Sequence, residues 1–425
     1  MRRLHVWFDQ VLVGELRQED SGRLNFFYDS VFVEDPNAPP ISVSLPKTTE
    51  PFDERACMPF FDGLLPEAKQ RTAAARSLGV SEGNTFSLLD RLGGEVAGAL
   101  EFLPPGAPPK PVQANRTPAP LNAQELANIL AELPRRPLLA GTKGLRLSLA
   151  GAQSKLPVCL VAGQVCLPGE DQPTTHILKP AIPELLASTE NETFSMTLAA
   201  ELGLRAAKVE TRLLETPQGR IHFLLVERYD RVQAGGVVRR LHQEDFCQAL
   251  GILSTWKYQS EGGPNFKTCF DLIRRISARP SVDLANLLDM AIVNVFIGNA
   301  DAHGKNFSIL YTPDGLRLAP FYDLMSTAYY PDLASNFAMK IGGQGSFERL
   351  GTLAWKTFAY NIGLTYPYVR KRILELAKHL PEACVRTRAR LAPAGMDEEA
   401  LSQFSKLAID RAERTVHRLS LAEGD

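Results

Sequence analysis

No two cysteines in this chain stand in a C-x-x-C pair; the six present, Cys57, Cys159, Cys166, Cys247, Cys269 and Cys384, are scattered. That spacing excludes a zinc knuckle and a disulfide framework and fits a reducing compartment. A long apolar run is also missing. The stretch 287–297 is the longest, and Asp289 and Asn294 interrupt it well short of a membrane span. The basic start at Arg2 and Arg3 leads into no signal-like core, because Asp9 and Gln10 break it. A cytoplasmic location without a membrane partner is expected. Excess charge of either sign is absent too: 47 Lys and Arg against 48 Asp and Glu leave a formal net charge of -1, which gives no general attraction to nucleic acid. The local clusters Arg370-Lys371-Arg372 and Arg386, Arg388, Arg390 have acids around them and are expected on solvated helix faces.

What is present is an ordinary globular mixture, 44% hydrophobic and 22% charged, in 425 residues. Two or three packed units are expected from that length. Residues 4–8, 11–16, 24–28 and 41–45 have the β-rich alternation of short strands, and a mixed helical stretch follows to Leu103. Prolines crowd 104–120 and mark a linker. Asn122 and Glu125 have capping-box spacing and open a helix that Pro134 closes. Strands are expected at 145–149, 156–161, 165–167 and 174–179, and mostly helix beyond Asp230. The expected class is α+β, divided as a β-rich subdomain at 1–103, the linker at 104–120, a sheet-bearing lobe at 121–230 and a helical lobe at 231–425.

Phosphoryl transfer asks a protein for a carboxylate at the attacking hydroxyl, hard oxygen ligands for Mg²⁺, and cations or amides around phosphates. Asp301 stands five residues before Asn306, the spacing of a kinase base and metal-binding amide. The spacing recurs at Asp20…Asn25 and Asp289…Asn294, so context has to decide. The Asp301 instance follows a helix with a continuous apolar stripe from Leu284 to Phe296, ended by Gly298. Beyond Asn306, residues 307–311, a turn at Pro313-Asp314-Gly315 and residues 316–323 predict a β-hairpin. Its pairing sets Asn306 opposite about Phe321, so Asn306 and Asp323 converge beside Asp301 as a hard-ligand site suited to Mg²⁺.

Upstream, the small residues Ala150, Gly151, Ala152, Gln153, Ser154 and Lys155 join two strands, so that backbone N–H groups can approach phosphates; the spacing is not that of a Walker A loop. Lys179 ends a strand before Pro180, where a kinase lysine reaches phosphates, and Glu192 is its candidate ion-pair partner. His242 and His303 have no metal-ligand spacing and are assigned hydrogen-bonding roles.

With these parts in order the sequence resembles the HipA family of bacterial serine/threonine kinases. The matching segments are Arg146-Leu147-Ser148-Leu149-Ala150-Gly151-Ala152-Gln153-Ser154-Lys155, Thr175-His176-Ile177-Leu178-Lys179-Pro180, Val226-Glu227-Arg228-Tyr229-Asp230-Arg231, 242–248, 257–264, 298–308 and Pro320-Phe321-Tyr322-Asp323. The resemblance implies a two-lobed, phosphatidylinositol-kinase-like fold that uses ATP and Mg²⁺. It implies Asp301 as base, Asn306 and Asp323 on the metal, and Lys179 on the phosphates. It further implies that 150–155 wrap the phosphates, that the backbone of Glu227, Arg228 and Tyr229 meets adenine, that His303 and Tyr322 join the nucleotide set, and that Ser148 is autophosphorylated. A toxin that phosphorylates a protein of translation, such as an aminoacyl-tRNA synthetase, is implied as well. So is a small helix-turn-helix antitoxin of the HipB type, through which operator DNA is met. A small-molecule kinase and a corepressor scaffold with an idle kinase site are the alternatives.

Overall fold

A computed structural model describes residues 1–111, 118–169, 172–217 and 219–420. Part of the expected linker, 112–117, lies outside them. The chain forms two compact units. One comprises 1–180, 214–255 and 310–312; the other comprises 181–213, 256–309 and 313 onward. This division is not at the proline-rich stretch. The α+β class expected above is the class observed.

The first unit opens with a four-stranded antiparallel sheet in the order Leu24–Tyr28, Val11–Gln18, Arg2–Phe8, Leu100–Leu103. Its buried alternate residues, among them Leu4, Val6, Leu16, Leu24 and Phe26, meet Phe60, Phe61, Leu88 and Leu92 of the helices Glu54–Gly63 and Thr85–Leu92 in one core. The strand Leu100–Leu103 closes the stretch expected to be mixed helical and was not singled out there. Four residues carry too little alternation to register in the sequence, and pairing with Arg2–Phe8 stabilises them.

The strand expected at 41–45 is absent. Its backbone groups are taken by side chains instead: Tyr28 Oη accepts from the Ile41 N–H at 3.0 Å and donates to the Leu45 carbonyl at 2.6 Å, while the Val43 N–H donates to Glu244 at 2.9 Å. The strand expected at 145–149 is reduced to one bridge with Glu95, held by Glu95 N–H to Arg146 O and Ser148 N–H to Glu95 O, each 2.8 Å.

A second sheet runs Gln164–Cys166, Leu156–Val161, His176–Pro180, Gly219–Glu227, Val209–Thr216. The helix Ala123–Glu132 packs Leu126, Ile129 and Leu130 on it, and Asn122 and Glu125 form the expected capping box. After Asp230 a further hairpin, Arg231–Ala234 with Val237–Arg240, corrects the expectation of mostly helix with a single hairpin. Each strand is only four residues long, too short for a period-2 pattern to register in the sequence.

The second unit is built on helices. Pro280–Ile297 is its buried axis and ends at Gly298, whose φ of 75° needs the absence of a Cβ. By length and composition this helix is apolar enough to cross a membrane; here it is the core of the unit. Tyr366–Leu391 and Glu398–Ser420 pack beside it. The basic clusters are largely neutralised rather than merely solvated: Arg372 bonds Asp289 at 2.7 Å and Glu375 at 2.6 Å, and Arg386 bonds Glu201 at 3.0 Å.

Candidate active site

The helix Pro280–Ile297 delivers the chain into a loop whose backbone is fixed by side chains. Asn299 Nδ2 donates to Asn294 Oδ1 at 3.0 Å, and Asn299 Oδ1 accepts from the Asp301 N–H at 3.1 Å. Thr327 Oγ1 accepts from the Ala300 N–H at 2.8 Å and donates to the Gly298 carbonyl at 3.2 Å. Asp301 is thus held by its backbone while its side chain stays exposed. The hydroxyl of Tyr258 donates to Asp301 Oδ1 at 2.9 Å.

The expected hairpin forms as Ser308–Thr312 and Gly315–Leu318, closed at its base by the Ala319 N–H on the Ser308 carbonyl at 2.9 Å. That register carries the chain back as the sequence suggested. Asn306 Nδ2 donates to Asp323 Oδ2 at 3.1 Å, and Asn306 Oδ1 accepts from the His303 N–H at 3.1 Å. Asp323 adopts φ 60°, a left-handed conformation that an aspartate tolerates better than most residues. Tyr322 Oη donates to the Lys305 carbonyl at 2.6 Å and shares a 2.7 Å bond with Ser308 Oγ, so its hydroxyl is occupied in bracing this corner. The ring of His303 is buried, with Tyr258 edge-on at 5.3 Å.

An amide oxygen and a carboxylate fit Mg²⁺ by type. Asn306 Oδ1 spends one lone pair on His303 and keeps another, and Asp323 is exposed. Two such ligands leave positions for water and for phosphate oxygens, as Mg²⁺ prefers. No cluster of three His, Cys, Asp or Glu suited to a metal occurs among the described residues.

In the first unit, the loop 150–155 leads from Ser148 into the strand Leu156–Val161. The Glu67 N–H donates to the Gly151 carbonyl at 3.1 Å, and Lys155 Nζ folds back on the Ala150 carbonyl at 2.7 Å. Gly151 has φ 109°, a left-handed conformation that favours glycine at this turn. Ser148 is fully buried and donates to the Leu64 carbonyl at 2.7 Å. Leu156–Val161 pairs with His176–Pro180, which carries the buried Lys179 one residue beyond the Leu156–Leu178 pair. Lys179 belongs to the first unit and Glu192 to the second.

At the end of Gly219–Glu227 the Arg228 N–H donates to the Thr175 carbonyl at 3.0 Å. Its guanidinium is also committed. Arg228 bonds Glu95 at 2.9 Å and Asp230 at 2.8 Å, and Arg231 bonds Glu95 at 2.9 Å, all with side chains almost wholly buried. Tyr229 Oη donates to Gln243. Burial works against ionisation of Glu95, but Arg231, Arg240 and Arg228 outweigh it and hold the carboxyl below its usual range. Glu95 and Tyr258 went unassigned in the sequence, because their partners lie tens of residues away.

Comparison with known proteins accords with this geometry. Residues 4–103 match the HipA N-terminal domain, and residues 147–384 match the HipA-like C-terminal domain. Y4mE of Sinorhizobium fredii, described as a candidate kinase, is 50% identical over 97% of this chain and 98% of its own. The serine/threonine-protein kinase toxin HipA of Shewanella oneidensis is 32% identical over 84% of this chain and 83% of its own. Among solved structures, the Shewanella oneidensis MR-1 toxin–antitoxin complex of HipA, HipB and operator DNA superposes with a TM-score of 0.84 at 29% identity, covering 97% of each chain.

Proposed function

This chain belongs to the HipA family and is a serine/threonine-protein kinase, and from that premise we propose that it acts as the toxin of a toxin–antitoxin pair, moving the γ-phosphoryl group of ATP, with Mg²⁺, to a protein hydroxyl. The observation that carries the assignment of parts is the Asn306 to Asp323 bond at the hairpin base, five residues beyond an exposed and backbone-anchored Asp301.

In this reading Asp301 accepts the proton of the attacking Ser or Thr hydroxyl. The acceptor oxygen forms its bond to the γ-phosphorus as the bond to the β–γ bridging oxygen breaks, and ADP leaves. Asn306 and Asp323 hold Mg²⁺, which when bound neutralises charge building on the phosphate oxygens. Lys179 supplies a further positive charge, and the 150–155 backbone donates to the phosphates. The backbone of Glu227, Arg228 and Tyr229 borders adenine, and His303 and Tyr322 complete the nucleotide set.

The domain scheme proposed is 1–103, 104–120, 121–230 and 231–425, supported by the match over 4–103. Ser148 is proposed as the autophosphorylation site. Its burial against the Leu64 carbonyl means that modification requires the loop to leave its seat, and a phosphate dianion there would hold the loop away from ATP. A HipB-like helix-turn-helix antitoxin is the proposed partner, supported by the composition of the Shewanella complex, with operator DNA met through it. The neutralised basic clusters agree with indirect DNA contact. A cytoplasmic location and a translation enzyme, such as an aminoacyl-tRNA synthetase, as substrate complete the proposal.

The test is Asp301→Asn with ATP labelled at the γ-phosphate, following label in lysate proteins and in the Ser148 peptide. Transfer should fall by about 10²-fold or more with nucleotide affinity retained. Transfer at the wild-type rate refutes the base assignment.

A further inference from the structure

The left-handed φ of 60° at Asp323 is one that a residue other than glycine keeps only where its surroundings impose it. The chain is gripped on both sides of this residue. Two residues before it, the Phe321 N–H donates to the Arg205 carbonyl at 2.7 Å, and the Phe321 carbonyl accepts from the Ala207 N–H at 2.8 Å. Three residues after it, Ser326 is paired in the same manner, but by a side chain. Asn191 Oδ1 accepts from the Ser326 N–H at 2.7 Å, and Asn191 Nδ2 donates to the Ser326 carbonyl at 3.0 Å. Both grips come from one stretch of chain, the helix Ser188–Glu201 and the turn that follows it.

Asn191 is fully buried, and its amide is used to capacity. Oδ1 takes a second donor, Ser195 Oγ at 3.4 Å, and Nδ2 also reaches Tyr330 Oη at 3.3 Å. Two donors and two acceptor lone pairs are all that an asparagine has. A buried amide adds nothing to helix formation and is costly unless so satisfied, and three of its four bonds leave its own helix. The Tyr330 hydroxyl donates in turn to the Leu186 carbonyl at 3.1 Å, which ties the far end of 326–330 to the residue pair before the helix. Between these ties Thr327 Oγ1 accepts from the Ala300 N–H, so the segment that Asn191 holds also bears on the Asp301 loop.

We propose that Asn191 is a positioning residue for the metal: by fixing Ser326 it holds Asp323 in the conformation that sets its carboxylate beside Asn306. The inference rests on the reading of Asp323 as a Mg²⁺ ligand. Asp323 Oδ2 accepts from Asn306 Nδ2, so the two side chains meet a cation as one unit, and the backbone at 323 decides how that unit is arranged. Without the Asn191 amide the Ser326 N–H and carbonyl lose their partner. The segment between Phe321 and Thr327 then slackens, and Asp323 relaxes towards the negative φ that an aspartate prefers. Asn191 acts only through Asp323, and groups that orient metal ligands in this way are worth about 10- to 100-fold in metal affinity.

The test reads metal binding apart from turnover. With the full chain, the dissociation constant of a fluorescent, non-hydrolysable ATP analogue is measured with and without Mg²⁺, and the ratio reports how well the protein holds the metal. For Asn191→Ala the value with Mg²⁺ should rise about tenfold while the metal-free value stays at that of the wild type. Phosphoryl transfer from γ-labelled ATP should need correspondingly more Mg²⁺ to reach half its maximal rate. Tyr330→Phe keeps the ring against Tyr329 and removes only the hydroxyl between Asn191 and Leu186; it should shift the same ratio by about threefold, and it decides the matter if Asn191→Ala does not fold. A loss of packing alone would move both dissociation constants together or lower the active fraction equally at every Mg²⁺ concentration. A ratio within about twofold of wild type overturns the proposal, even where transfer falls. Asp323→Asn is measured alongside. If it too leaves the ratio unchanged, the reading of Asp323 as a ligand has failed; if it shifts the ratio and Asn191→Ala does not, only the role of Asn191 has failed.

Discussion

Replacing Glu244 by glutamine should change how stability depends on pH, and the structure gives both sign and size. Glu244 is buried and accepts from the Val43 N–H at 2.9 Å, Tyr311 Oη at 2.6 Å and Ser42 Oγ at 2.5 Å. No cation is among these partners. Burial therefore raises its carboxyl to about 7, against an ordinary 4.5, with the three hydrogen bonds offsetting only part of the effect. The folded chain keeps this proton up to a pH near 7, whereas the unfolded chain loses it near 4.5, so stability from this group falls as pH rises through that window. Two and a half pH units correspond to about 3 kcal/mol.

His242, two residues before, has the opposite slope. Its Nε2 donates to the Ile41 carbonyl at 2.7 Å, and burial lowers the ring to about 4 from 6.5, so stability from it falls as pH drops from 6.5 towards 4. In the wild type the two trends oppose each other over much of pH 4.5–6.5. Glu244→Gln removes one of them. A glutamine can accept from Val43 and Tyr311 and donate to Ser42 Oγ, so no partner is stranded. Urea unfolding at pH 4.5, 5.5, 6.5 and 7.5 should show the variant gaining about 3 kcal/mol on the wild type across the series, a midpoint shift on the order of 1 M for a typical m-value. A stability difference that stays constant with pH refutes the reasoning.

Two further outcomes follow from buried charge and from the metal corner. Glu95→Gln leaves Arg228 and Arg231 with one carboxylate fewer in a buried cluster, which should cost about 3–5 kcal/mol and lower the melting temperature by roughly 6–20 °C; calorimetry showing a fall under 3 °C would count against it. Asp323→Asn keeps a side chain suited to φ 60° and an acceptor for Asn306, so the melting temperature should hold while phosphoryl transfer drops by two orders of magnitude or more, measured with γ-labelled ATP at fixed Mg²⁺.

The parts that could be seen in the sequence share one property: local chemistry fixes them. Pro313-Asp314-Gly315 between alternating apolar residues sets a hairpin register, and that register alone brings Asn306 to Asp323. Gly298 after an apolar stripe sets where the helix Pro280–Ile297 ends, and Asn122 with Glu125 sets where Ala123–Glu132 begins. Leu100–Leu103 and the bridge at Leu147 are the converse. Each is too short to declare itself and is held by a partner about 50 or 100 residues distant.

The same distinction separates the chemistry of the site from its support. Asp301, Asn306 and Asp323 lie within one stretch of chain and carry a spacing, whereas the groups that hold them in place carry none. Thr327 fixes the loop from 27 residues beyond Ala300, and Tyr258 reaches Asp301 from 43 residues before it. Glu95 gathers Thr174, Arg228 and Arg231 from 79 to 136 residues away. A supporting residue needs only the right side chain at the right place in the fold, so its position in the sequence is free to drift relative to the residues it serves. Glu95 and Glu244 show why such residues still matter to function. Each ties backbone that no sheet ladder holds, at Thr174 and at Val43, so loss of either should loosen the chain there rather than alter the reacting groups themselves.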